Sequence, residues 1–271
     1  MWNSKRIRLF WWSEPHLMGK AKENFGDLLG KYIVEKIAQK PVIWVHPKKM
    51  SFRGLFKPIY VTIGSVLAHV NRKCIIWGSG IIQDNQVVKA AKFLAVRGPE
   101  TRRVLLKQGY NVPEVYGDPA ILLPKYYYPK IKKKYILGIV PHYVDYEMVR
   151  SSYKDRKDVL IINLMTEDIE ATTDLFLQCE KIVSSSLHGL IVAHAYQISA
   201  VWVKFSNKLF GDDIKFKDYF ESVLIKPYVS EVLMPLNENE SFENLFVEHQ
   251  TMPEASQINK MQNDLMRVCP F

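Results

Sequence analysis

The chain has 271 residues, 37 Lys and Arg against 28 Asp and Glu for a formal charge of +9, and is 48% hydrophobic and 12% aromatic. It is long enough for two packed cores, too apolar for wholesale disorder, and basic enough to favour acidic partners: phosphorylated substrates, anionic membrane surfaces or nucleic acid. Three well-separated cysteines, Cys74, Cys179 and Cys269, argue against a disulfide framework or a zinc site. Residues 1–10 start with charge and lack the apolar core of a signal peptide, and no apolar run approaches the roughly 20 residues of a spanning helix. The expectation is a soluble, cytoplasmic protein.

In chain order, residues 7–12 predict a first strand. Asn24, Phe25, Gly26 and Asp27 open a helical pattern with Leu28, Leu29, Tyr32, Ile33 and Ile37 on its apolar face. Residues 42–46, 60–63, 74–77 and 93–96 predict further strands. The last three end in turn-forming segments: Gly64-Ser65, Gly78-Ser79-Gly80 and Arg97-Gly98-Pro99. Pro99 suits the first position of a helix running to Gln108, with Gly109 as its stop. Residues 125–134, with three tyrosines, a proline and five lysines, have no periodic apolar face and predict a linker.

Strands are predicted at 135–140, 159–164, 181–184 and 200–205, and helices at 168–180 and 187–197. Ile258, Met261, Leu265 and Val268 trace one face of a terminal helix. Strands alternating with helices predict an α/β fold with parallel sheets. The domains expected are 1–124 and 135–271, two Rossmann-like halves facing across a cleft, where open α/β sheets bind ligands beyond the carboxyl ends of their strands.

The segment with most chemistry is Ser184, Ser185, Ser186, Leu187, His188 and Gly189, between a strand and an apolar helix. Free backbone N–H groups and the helix dipole favour an anion there, and the first turn carries an imidazole, His188, a group able to give or take a proton. A capping run with a structural histidine is the alternative. Arg97 suits bidentate binding of a carboxylate or phosphate, or is a solvated arginine at a helix start. Gly64, Ser65, Gly78 and Ser79 could shape backbone concavities or be plain turns, and His69 could share their rim. Asp27 and Asp118 each neighbour a glycine at an element boundary, where a cap is the default and a place on the cleft wall the alternative. No complete nucleotide fingerprint and no metal-ligand spacing occurs. The clusters Lys48-Lys49 and 130–134 are solvated faces or a membrane-surface contact.

Taken in order, Asn24-Phe25-Gly26-Asp27-Leu28, Gly64-Ser65, Trp77-Gly78-Ser79-Gly80, Val96-Arg97-Gly98-Pro99, Tyr116-Gly117-Asp118-Pro119-Ala120, the Ser184 to Gly189 run and Phe216-Lys217-Asp218-Tyr219 resemble the polysaccharide pyruvyl transferase family. The resemblance implies a GT-B-like arrangement and phosphoenolpyruvate as co-substrate, with no further cofactor and no metal. It implies a pyruvate ketal formed on a sugar acceptor, polymeric or lipid-linked, in the cytoplasm or against the inner face of a membrane. It puts His188 at the catalytic position, Arg97 at a donor-binding one and His69 at a further site histidine. Many members carry arginine where this chain has Ser186, so Lys204, Lys208 and Lys215 are the candidate replacement cations. The competing readings are a GT-B glycosyltransferase using a nucleotide sugar and a non-enzymatic binding module. Scattered basic residues without a recognition motif speak against nucleic acid as partner.

Overall fold

A computed structural model describes residues 6–49, 57–230 and 242–271. The charged start at 1–5, part of the segment read for a signal peptide, lies outside the described residues. Among the described residues no helix is long and apolar enough to cross a membrane.

The first sheet contains β1 (Ile7–Phe10), β2 (Val42–Trp44), β3 (Ile59–Val61), β4 (Cys74–Trp77) and β5 (Lys92–Ala95), all parallel, in the order β2-β1-β3-β4-β5. The second contains β6 (Tyr135–Val140), β7 (Val159–Ile161), β8 (Cys179–Ser184) and β9 (Ser199–Trp202), also parallel, in the order β7-β6-β8-β9. In both, the first strand lies between the second and the third, so the winding reverses beside β1 and beside β6. Ligands of open α/β sheets sit at such reversals, beyond the strands' carboxyl ends.

Two helices carry the centre of the molecule. In α2 (Phe25–Ala38), the Asn24 side chain accepts from the Gly26 N–H at 3.0 Å and starts the helix, which buries Phe25, Leu29, Ile33 and Val34. In α6 (Leu187–Ala195), every residue is buried, around the apolar run Leu190, Ile191, Val192 and Ala193. Helix α5 (Ile169–Leu177) completes the packing, with Phe25 and Phe176 stacked at 5.7 Å. One continuous core therefore joins Phe25, Leu29 and Trp77 of the first half to Phe176, Leu190 and Phe216 of the second.

The strand expected at 159–164 stops at Ile161 because the chain then leaves the sheet to meet α2. Leu164 O accepts from the Phe25 N–H at 2.7 Å, and Thr166 N–H donates to Glu23 O at 2.9 Å. The terminal helix α9 (Ala255–Arg267) buries Ile258, Met261 and Leu265, three of the four positions on its expected face, each contributing on the order of 1.5–3 kcal/mol. It packs against the 3-10 segment Pro119–Lys125, which follows the first sheet: Trp77 Nε1 donates to Leu265 O at 2.9 Å and Gln262 Nε2 to Ile121 O at 2.8 Å.

Candidate active site

Three first turns meet at His188: those of α2, of the Pro119–Lys125 segment and of α6. Asp118 caps the second, its Oδ1 accepting from the Ala120 N–H at 3.0 Å. Its Oδ2 lies 3.5 Å from His188 Nε2, and both atoms are buried without another hydrogen-bond partner. That separation is just beyond a good N–H···O bond. A carboxylate facing Nε2 favours the tautomer protonated there, which leaves the Nδ1 lone pair free.

Nδ1 lies over Gly26. A Cβ built on Gly26 would stand 2.0 Å from it, so only glycine lets α2 approach the ring this closely.

The start of α6 is open. Among the described residues the Ser186 side chain makes no capping bond, and the N–H groups of Leu187 and His188 have no partner. The serine run builds the loop instead of offering hydroxyls. Ser184 Oγ lies 3.0 Å from Val140 O and 2.8 Å from Ser186 O, and accepts from the Ser186 N–H. Ser185 Oγ accepts from the His142 N–H at 2.8 Å, tying α6 to the end of β6 at the winding reversal. Two free N–H groups at a helix start, beside a proton-handling imidazole, make an anion site with an acid/base group attached.

Asp27, one residue beyond Gly26, supplies the facing wall. Burial pushes its carboxyl up to about 7, the nearby Glu14 and Glu23 add to this, and His188 and Lys215 oppose it. Its Oδ1 sits 3.2 Å from where a Gly64 Cβ would be, and Gly64 has φ +93°, in the left-handed region that glycine tolerates. Lys215, on α7 (Ile214–Ser222), is held down to about 8 by burial and by Arg97, against the pull of Asp213 and Asp27. His142 falls to about 4 through burial, with Lys215 and Lys20 adding, so it is neutral at pH 7.

With this geometry in place, comparison with known proteins is decisive at one level. A model of the polysaccharide pyruvyl transferase family matches residues 24–207. The chain belongs to this family. It is also 35% identical, over 205 residues, to "Uncharacterized protein L143" of Acanthamoeba polyphaga mimivirus, an alignment spanning 72% of this chain and 69% of that protein. No solved structure matches. The pyruvyl transferase match takes in Gly26, Asp27, Arg97, Asp118 and His188 and ends before Lys215.

Arg97, the expected donor-binding residue, has no exposed surface in this pyruvyl transferase family member. Its Nε donates to Asp218 Oδ2 at 2.9 Å, Nη1 to Ser65 Oγ at 2.6 Å and Nη2 to Ile81 O at 2.7 Å. Gly80 is packed flat on the guanidinium, with a built Cβ only 2.4 Å from Cζ. Ser79 Oγ donates to Gly64 O at 2.7 Å, and Gly78 turns at φ +100° against Pro119, so these two segments brace one another. In this conformation Arg97 is enclosed by Ser65, Gly80, Ile81 and Asp218.

His69 is in another group. Its ring lies 5.5 Å from Trp12, 5.7 Å from Phe10 and 5.9 Å from His46, and its pKa is lowered by burial, with Lys48 and His46 adding. Lys204 is paired with Asp213 and lies over the Trp202 ring, so its charge is already answered. Neither Gly26 nor His142 is marked as a site residue by its local sequence. Gly26 carries no local sign that an imidazole from 162 residues away will rest on it. His142 is marked only by its place at the carboxyl end of a predicted strand, beside a winding reversal.

Proposed function

We propose that the chain transfers the pyruvyl group of phosphoenolpyruvate to a sugar of a cell-surface polysaccharide or its lipid-linked precursor, forming a ketal. The observation that supports this best is the His188–Asp118 pair at the uncapped start of α6. Phosphoenolpyruvate carries two anionic groups and an enol carbon that must be protonated. The cleft offers free N–H donors for an anion, with a histidine beside them.

One sugar hydroxyl bonds to C2 of the enol and gives up its proton while C3 takes a proton and becomes the methyl group. The C2–O bond to phosphate then breaks, inorganic phosphate leaves, and the second hydroxyl closes the ketal as its proton is lost. His188 delivers or accepts these protons at Nδ1 while Asp118 holds Nε2–H. Acid/base assistance of this kind is typically worth about 10²–10⁴ in rate. Asp27, titrating near neutrality on the opposite wall, is the second proton carrier. Arg97 we assign to holding α7 against the start of α3 (Pro99–Lys107) behind the donor.

The two parallel sheets, with the site beyond the carboxyl ends of β6 and β8, support a GT-B-like reading with halves 1–124 and 135–271. The reaction belongs to the cytoplasm, and a lipid-linked acceptor would bring the enzyme to the inner face of the membrane. The test is phosphate release from phosphoenolpyruvate over a panel of sugar acceptors, with His188→Ala as control. Acceptor-dependent release lost in the variant supports the reading. Near-normal turnover by folded His188→Ala would remove His188 from the chemistry, and turnover only with nucleotide sugars would replace phosphoenolpyruvate as donor.

A further inference from the structure

Helix α7 is fastened unusually firmly. Asp218 is fully buried, accepting from Arg97 Nε at 2.9 Å, the Thr101 N–H at 2.8 Å and Thr101 Oγ1 at 2.7 Å. A Cβ on Gly98 would lie 1.9 Å from Asp218 O, so the first turn of α3 and the middle of α7 touch backbone to backbone. Three residues before Asp218, one turn back on the same side of the helix, stands Lys215.

Lys215 is half-buried, yet its ammonium makes no hydrogen bond or salt bridge among the described residues. Its Nζ lies 5.2 Å from the centre of the Phe216 ring. The charged and titratable groups that act on it come from several elements: Arg97 at the end of β5, Asp27 on α2, Asp213 ahead of α7 and His142 beyond β6. Asp213 is already paired with Lys204, His142 is neutral, and Arg97 repels. Shielding an ammonium from water without a partner is unfavourable, and the fold holds it there with a buried clamp. A short run of contacts links α7 to the open start of α6, where Ser186 supplies no charge: Arg97, held by Asp218, donates to Ser65 Oγ, the neighbouring Gly64 lies against Asp27 Oδ1, and Gly26 beside Asp27 carries the His188 ring.

We propose that Lys215 binds a phosphate-type anionic group in this cleft, supplying the cation that Ser186 does not. The proposal rests on reading the cleft as the donor site, and it names the residue that holds the donor's phosphate.

The test uses the full chain and isothermal titration with inorganic phosphate, then with phosphoenolpyruvate, on the wild type, Lys215→Met, Lys215→Arg and the surface control Lys130→Ala. Charge-assisted contacts of this type predict that Lys215→Met weakens phosphate binding at least about tenfold, that Lys215→Arg recovers most of it, and that Lys130→Ala matches the wild type. Between pH 7 and 9 the wild type should lose phosphate affinity more steeply than Lys215→Arg, whose charge does not titrate there. Wild-type affinity in folded Lys215→Met, or no phosphate binding by the wild type, overturns the proposal. If Lys215→Met does not fold, the charge-retaining Lys215→Arg decides through its pH dependence alone. A slope equal to the wild type's overturns it. Phosphate binding that depends on Lys215 but is not displaced by phosphoenolpyruvate leaves Lys215 in place and removes phosphoenolpyruvate as donor.

Discussion

His188 Nε2 and Asp118 Oδ2 face each other across 3.5 Å, both buried and neither with another partner. The pair joins the two halves of the chain, since Asp118 follows the first sheet and His188 opens the helix after β8. Asp118→Asn keeps the shape and removes the charge that holds Nε2–H. Its turnover should fall by about 10²–10⁴, and the double variant with His188→Ala should be little worse than His188→Ala alone, because the two act as a unit. Steady-state phosphate release on folded protein, checked by circular dichroism, measures both.

Gly26→Ala puts a methyl group where His188 Nδ1 now lies. The added methyl also meets Cγ and Cβ of the buried His188, and overpacking of this kind costs about 1–3 kcal/mol against the roughly 1 kcal/mol that alanine gains over glycine in a helix, so the thermal midpoint should hold or fall modestly as the ring is displaced. Turnover is expected to fall at least about tenfold. Unchanged kinetics would place the imidazole elsewhere in the working enzyme.

Asp27 gives a pH signature in stability. Its folded pKa, about 7, lies above the ordinary aspartate value of 3.8, so between those limits the folded state holds more protons than the unfolded one. The destabilisation it causes is absent below the lower value, grows as pH rises, and is complete above the upper one. Asp27→Asn should therefore raise the melting temperature over the wild type by more at pH 8 than at pH 5. An equal difference at the two values would show that Asp27 is not the group titrating.

The Arg97–Asp218 pair predicts a stability effect separate from catalysis. Asp218→Ala leaves a guanidinium buried without its counter-charge and strips Thr101 of its acceptor. The expected loss is about 3–5 kcal/mol, read from urea unfolding. A change below about 1 kcal/mol would mean that the pair is not closed in solution.

The parallel α/β fold was legible because short β-branched runs alternate with periodic helices, and nearly every predicted strand and helix has an observed counterpart. The His188 loop was legible for the same reason: a strand, a small-residue turn and an apolar run occur together. Arg97 was placed at the right strand end, but a sequence does not say whether a guanidinium points to solvent or to a carboxylate 121 residues later. Helix α7 did carry a signal, since Phe216, Tyr219, Phe220 and Val223 follow the i, i+3, i+4, i+7 spacing of a buried face. Reading that periodicity would have set Lys215 and Asp218 one turn apart. What no local pattern contains is the meeting of three helix starts, which depends on how the two sheets stack.

The course of α9 has a mechanical consequence. It begins after the second sheet and ends against Trp77 and Ile121, with the ring of Phe271 beyond it packed at a tilt 4.8 Å from that of Tyr60. The polypeptide thus passes from the first half to the second and back, like a belt threaded twice through one buckle. Swinging the halves apart would peel Leu265 and Met261 from their seats and expose the core that they share. Substrate entry by side-chain and loop movement around a fixed frame is the cheaper route, and it keeps the Asp118 wall and the His188 wall in register throughout the cycle.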